Sequence, residues 1–365
     1  MTTTTTQRMG QSVKTLTPGY FAVTMATGIV SVGMEIEGFT TLSLLLLIIC
    51  AASFVVLLVL TSWRAISYAG AIRDDFMDPR RAFGFFTLVA GADVLGVRLY
   101  MAGYPWFTSV LLFLAGGTFL VIGYVIPWTA ALSNQKQSVV ATANGTWFIW
   151  VVASQSIAIA AATLEPEAGS ARAVLALVAV VAWSVGVLLY GATAVFVALR
   201  LMLYPFGPED FNPPYWVTMG ALAITVLAGA RIVDMAEAPM VAATGHLIAG
   251  LSVVFWGIAT WLIPPLIAAG LWRHLMHRFP LRYEPTLWSI IFPLGMYAVA
   301  SLSLGATDNL PIVLWIGKVE LWVAFVAWLL TFVVMGYHVI RTLLPPGRGA
   351  PSDSRQPLKS PSASD

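Results

Sequence analysis

Charge is scarce in this chain and cysteine nearly absent. Only 10% of the 365 residues are Asp, Glu, Lys or Arg, against roughly a quarter in soluble domains, so a water-facing surface cannot be assembled from them. Cys50 is the single cysteine and lies in an aliphatic run, which excludes an intrachain disulfide and a cysteine-based metal cluster. A formal net charge of +2 with scattered basic residues excludes a nucleic-acid surface. Also missing are a Walker loop, a dinucleotide-binding glycine fingerprint, an HExxH zinc pair and a GxSxG nucleophile elbow. His274 and His277 lack the neighbouring carboxylates or cysteines that a metal site needs. The sequence therefore calls for no cofactor, no metal and no catalytic centre, and reads as a protein that is not an enzyme.

What is present is apolar: 59% of residues are hydrophobic and the mean hydropathy is +0.84. They come in long runs, and a helix needs about 20 such residues to cross the hydrocarbon core. Ten runs qualify, near Leu16–Ile36, Leu42–Trp63, Phe83–Met101, Trp106–Leu132, Trp147–Leu164, Ala173–Met202, Tyr215–Val233, Leu247–Leu271, Leu287–Leu304 and Ile312–Ile340. The expected architecture is an all-α integral membrane domain of ten transmembrane helices over residues 16–343. A polar tail, 1–15, precedes it and a Pro/Ser/Gly-rich tail, 344–365, too poor in apolar groups to fold, follows.

Basic residues set the orientation. If the first tail is cytoplasmic, 15 of the 19 Lys and Arg residues lie on that side, and the positive-inside rule places both termini in the cytoplasm of a multi-pass protein in a plasma or bacterial inner membrane.

The spans are of two kinds, and the kinds alternate. The second, LSLLLLIICAASFVVLLVLTSW, is uniform aliphatic surface suited to lipid. The first instead carries Thr24, Thr27, Gly28, Ser31 and Glu35 at steps of three and four, which makes one small, polar stripe. Thr87, Gly91 and Arg98 repeat the device in the third span, Thr225 and Gly229 in the seventh, and Ser289, Phe292, Met296 and Ser303 share one side of the ninth. Close helix packing accounts for such stripes, and so does a shared conduit; alternation over five hairpins favours odd helices inside and even helices outside.

Ionisable groups within spans are costly and mark functional candidates. Arg98, on its glycine stripe, either offers a fixed positive charge to an anion or reaches toward the interface. Asp93 points away from that face, which leaves it to pair with a neighbouring helix or to carry a proton. Arg231 and Asp234 are spaced for an intrahelical pair. Phe292, a bulky ring on a small-residue face beside Pro293, could plug a narrow passage.

Four segments resemble a known family: TPGYFAVTMATGIV at Thr17–Val30, NGTWFIWVVASQS at Asn144–Ser156, YWVTMGALAITVLAG at Tyr215–Gly229 and LWSIIFPLGMYAVA at Leu287–Ala300. Together they are similar to the tellurite-resistance/dicarboxylate transporters, a family that includes plant slow anion channels, yeast malic acid transporters and sulfite efflux pumps. The resemblance implies five hairpins around a pseudo-fivefold axis, a homotrimer with one pore per subunit, and small anions as cargo. It also implies a gating phenylalanine, matched by Phe292 before Pro293, and pore-helix glycines, matched by Gly28, Gly91, Gly229 and Gly295. The expected function is passage of inorganic anions or C4-dicarboxylates such as malate; the alternative is a proton-coupled C4-dicarboxylate or sulfite/tellurite-type efflux carrier using Asp93.

Overall fold

The computed structural model describes residues 5–132, 138–235 and 238–343, so the Pro/Ser/Gly-rich tail falls outside the described residues. Ten helices are long and apolar enough to cross a membrane: α1 (Pro18–Ile36), α2 (Thr40–Ser67), α3 (Ala82–Met101), α4 (Pro105–Thr129), α5 (Gly145–Glu167), α6 (Gly169–Leu203), α7 (Pro213–Val233), α8 (Pro239–Met276), α9 (Pro285–Thr307) and α10 (Pro311–Thr342). There is no strand among the described residues. Every expected span is found. The largest boundary difference is at α8, which begins at Pro239 rather than Leu247; proline fits a first helical position because its missing N–H would have no partner there. Ahead of α1, Thr5–Lys14 of the polar N-terminal segment is helical.

Burial separates the helices as the alternation predicts. In the odd helices 78–89% of the apolar window is buried, in the even helices only 11–28%. Phe113, Leu188 and Trp261, all on even helices, stand exposed as lipid-facing side chains do. Each odd helix packs against the even helix that follows it. The odd helices also form a closed ring: α1 on α3, α3 on α5, α5 on α7, α7 on α9, and α9 back on α1.

All five inner helices open with a short 3₁₀ turn, at Pro18–Phe21, Ala82–Phe85, Gly145–Trp147, Pro213–Trp216 and Pro285–Leu287. Four of these turns begin with proline or glycine, and PGYF and PPYW end in an aromatic pair; proline fixes φ at the helical value and donates no hydrogen bond, which suits a helix start. Each turn touches the next around the ring, and the last touches the first, so they make a collar at one end of the inner barrel. At Gly145 the approach is backbone to backbone: a Cβ there would fall on the Pro214 carbonyl and the Tyr215 nitrogen. Gly145→Ala forces the collar apart, at a cost of about 1–3 kcal/mol for an overpacked site, and a lowered unfolding temperature of the purified protein in detergent is the expected result.

Beside the collar, a buried ion cluster holds the link between α2 and α3. Asp75, on the short helix Ala69–Met77, forms ion pairs with Arg64 at 2.7 Å and Arg81 at 3.0 Å. Arg64 also donates to the carbonyl of Lys14 at 3.1 Å, tying the N-terminal helix to the bundle.

Candidate functional site

The ring encloses two connected spaces. The inner one, a throat of about 20 Å³, has room for about one water molecule. All five odd helices line it: Ile29 and Val32 of α1, Asp93, Val94 and Val97 of α3, Ser156 and Ile159 of α5, Leu227 and Arg231 of α7, and Met296 of α9. The second space, a vestibule of about 220 Å³ at the end away from the collar, shares Val97 and Arg231 with the throat and adds Tyr100, Thr163 and Asp234.

These residues obey a common register. Pro18 to Ile29, Ala82 to Asp93, Gly145 to Ser156 and Pro285 to Met296 are equal steps of eleven residues from the start of a span to the throat. Ala82 to Tyr100, Gly145 to Thr163 and Pro213 to Arg231 are equal steps of eighteen, and all three end in the vestibule. Because the collar aligns the helix starts, equal steps reach equal depth, and the two layers lie about 10 Å apart at 1.5 Å per residue.

The throat is mostly aliphatic, with one acidic group. Asp93 is 1% exposed. Its Oδ2 lies 2.7 Å from the Ser156 hydroxyl, and its Oδ1 has no hydrogen-bond partner among the described residues. The same Ser156 hydroxyl lies 2.9 Å from the Ala153 carbonyl, so one proton faces two acceptors. The expectation that Asp93 turns from the lumen is therefore corrected; it stands in the throat wall on the helix next to Ser156.

The lumen cation is Arg231, not Arg98. Arg98 is 2% exposed and turned toward α1 and α2, where it pairs with Glu35 at 2.8 Å and donates to the hydroxyls of Ser31 and Ser43 at 3.0 Å each. Its Nε and Nη2 are engaged there, while Nη1 is buried without a hydrogen-bond partner among the described residues. Arg231 makes no ion pair or hydrogen bond with the described residues. The expected pair with Asp234 does not form; that carboxylate takes the Thr307 hydroxyl instead, at 3.5 Å.

The small, polar stripes likewise turn out to be packing seams. Thr24 bonds Ser53 of α2 at 3.0 Å, and Thr27 accepts from the Trp328 indole of α10 at 3.0 Å. Gly28 lies against Val94 and Cys50, and Gly229 against Ser252 and Ile248 of α8. Thr87 donates to the carbonyl of Gly84 at 2.7 Å and Thr225 to that of Ala221 at 2.7 Å. Gly91 abuts Phe21 and Thr24, and Gly295 abuts Ile29 and Val30 of α1. Ser289 is buried near the start of α9. None of these ten residues, Arg98 included, lines the throat or the vestibule. The physical reason is that lipid gives no hydrophobic drive for helices to associate, so small residues and interhelical hydrogen bonds gather where helices meet closely, inner on outer as at Thr24 and Gly229 and inner on inner as at Gly91 and Gly295.

Phe292 sits one helical turn before Met296, on the collar side of the throat, and is 1% exposed. The corresponding position in α7, also seven residues from the span start, is Gly220. A Cβ there would stand 2.8 Å from the Pro293 ring, so the absence of a side chain at Gly220 lets α7 pack closely on the Phe292–Pro293 step.

A ring of buried helices, shielded by apolar partners long enough to cross a bilayer, defines a multi-pass membrane protein. The chain belongs to the SLAC1 family of voltage-dependent anion channels, whose family model matches residues 15–335. Two uncharacterized transporters of Methanocaldococcus jannaschii are each 23% identical, one over 329 residues covering 88% of this chain and 92% of theirs, the other over 333 residues covering 89% and 95%. An uncharacterized membrane protein of Mycobacterium tuberculosis is 57% identical over 162 residues, which is 44% of this chain and 82% of that one.

Proposed function

We propose that the protein conducts small anions through the lumen of its inner ring, with Arg231 as the attracting charge and Phe292 as the gate. The observation that carries this reading is the Arg231 guanidinium, which lines both the vestibule and the throat and makes no direct ion pair or hydrogen bond with the described residues, Asp234 of the same vestibule acting on it only from farther off. A fixed cation between low-dielectric walls concentrates anions and excludes cations. Family membership supports the same class of cargo. The Phe292 ring closes the collar side of a throat already too narrow for a hydrated ion.

Both termini are assigned to the cytoplasm, which puts the collar on the cytoplasmic side and the vestibule outside. A homotrimer, each subunit with its own lumen, suits the broad apolar faces of the even helices. The test is a flux panel in proteoliposomes comparing chloride, nitrate, malate and sulfite, with and without a pH gradient. Uptake of at least one of these above protein-free vesicles is expected. Absence of flux for every anion, in the native protein and in Phe292→Ala alike, would sink the reading.

A further inference from the structure

The throat presents a contradiction for a simple anion channel: its one ionisable wall group below Arg231 is acidic. We infer that Asp93 crosses the transport cycle as a proton donor, so that the protein moves the anions of small monobasic weak acids together with one proton. This rests on the anion reading above and narrows it to a substrate class.

Hydrogen-bond counting gives the first support. Ser156 has one hydroxyl proton, yet its oxygen lies within hydrogen-bond distance of both Asp93 Oδ2 and the Ala153 carbonyl. Both contacts are good at once only if Asp93 brings a proton of its own, donating from Oδ2 to Ser156 while Ser156 donates to Ala153. The second support is the electrostatic neighbourhood. No cation touches Asp93 from any helix packed on α3. On α1 the only charge is Glu35, which is paired with Arg98; on α2 it is Arg64, paired with Asp75; α4 and α9 carry none. On α5, Glu165 is paired with Arg172 and Glu167 takes the Tyr100 hydroxyl. Arg231, across the ring on α7, lies two helical turns farther along the lumen. An anion leaving Arg231 for the throat thus meets Asp93 next, among Ile29, Val94, Ile159 and Met296, which offer a charge no solvation.

The balanced step follows from this geometry. An anion held at Arg231 advances to the throat, an O–H bond forms on it as the Asp93 O–H bond breaks, and the neutral acid passes the aliphatic layer. The Asp93 carboxylate left behind takes a proton from vestibule water, restoring the Ser156 contact. One anion and one proton cross together, and no net charge moves. Arg231 alone matches one negative charge, so a dicarboxylate would carry its second charge unmatched into the throat. Nitrate, the anion of a strong acid, cannot hold the proton.

The experiment measures uptake of formate, nitrate and malate into proteoliposomes above protein-free vesicles, with and without an acid-outside pH gradient, for the native protein and Asp93→Asn. Asparagine keeps the geometry, since its amide donates to Ser156 as the protonated acid would. An on-the-order-of-tenfold stimulation of native formate uptake by the gradient is expected, with none for nitrate or malate, and the stimulation is lost in the folded Asp93→Asn protein. Gradient-driven formate uptake that survives in Asp93→Asn overturns the proposal, as does native anion flux indifferent to the gradient; both leave the broader anion reading standing. Failure of every anion to enter, with Phe292→Ala equally silent, overturns that broader reading instead.

Discussion

Arg231→Gln is expected to lower anion uptake by on the order of 10- to 100-fold while leaving the protein folded. A unit charge near 4 Å from an anion is worth about 4 kcal/mol at an effective dielectric of 20. The guanidinium is partly open to the vestibule, so about 1–3 kcal/mol remains after screening, and each 1.4 kcal/mol is tenfold. Because Arg231 makes no ion pair or hydrogen bond with the described residues, its removal strands no buried charge. Arg98→Gln is the informative contrast: it leaves Glu35, Ser31 and Ser43 without their donor and is expected to act on stability first, by about 3–5 kcal/mol for a broken buried pair. Initial uptake rates and thermal unfolding, measured side by side, separate the two. Equal loss of flux and of stability in both variants would remove Arg231 from the pathway.

Phe292→Ala is expected to raise uptake by on the order of tenfold through loss of an apolar plug. The side chain is fully buried on the collar side of a throat with room for about one water. Truncation therefore widens the passage and also costs about 3–5 kcal/mol of packing. Gly220→Ala serves as the packing control: its Cβ would stand 2.8 Å from the Pro293 ring, so it forces α7 from α9 and is expected to lower the unfolding temperature, at a cost of about 1–3 kcal/mol. A Phe292→Ala protein that keeps its fold and conducts no better than the native chain would show that the barrier lies elsewhere.

Much of the architecture was legible in the sequence, because the bilayer imposes a length and a composition on every span. The ten helices and the inner–outer alternation followed from runs such as that of α2 set against the mixed faces of α1. The site was harder to read, for a reason tied to particular residues. An inner helix has two faces shielded from lipid, one toward the lumen and one toward its outer partner. Thr24, Thr27 and Gly229 marked the second, where close approach and hydrogen bonding are needed. The lumen face, made of Ile29, Val32, Ile159 and Leu227, looked like ordinary core. Arg98 and Arg231 could not be told apart from spacing alone, because the difference lies in Glu35, Ser31 and Ser43, which come from other helices. One signal was available in the chain: Pro18, Gly145, Pro213 and Pro285, each followed within three residues by an aromatic, mark equivalent starting points. Counting from them, with Ala82 for α3, brings Asp93 and Ser156 to one level and Arg231 with Thr163 to another.

The linked 3₁₀ turns at the base of the barrel restrict how its bore can change. Five segments joined in a hoop behave like a drawn purse-string: none can shift outward without dragging both neighbours, and at Gly145 the slack is already gone. Dilation by splaying the staves is thus disfavoured at that end. On the proposed reading, conductance is then left to the swing of individual rings and to the occupancy of protons, events small enough to leave the protein's outline in the membrane unchanged.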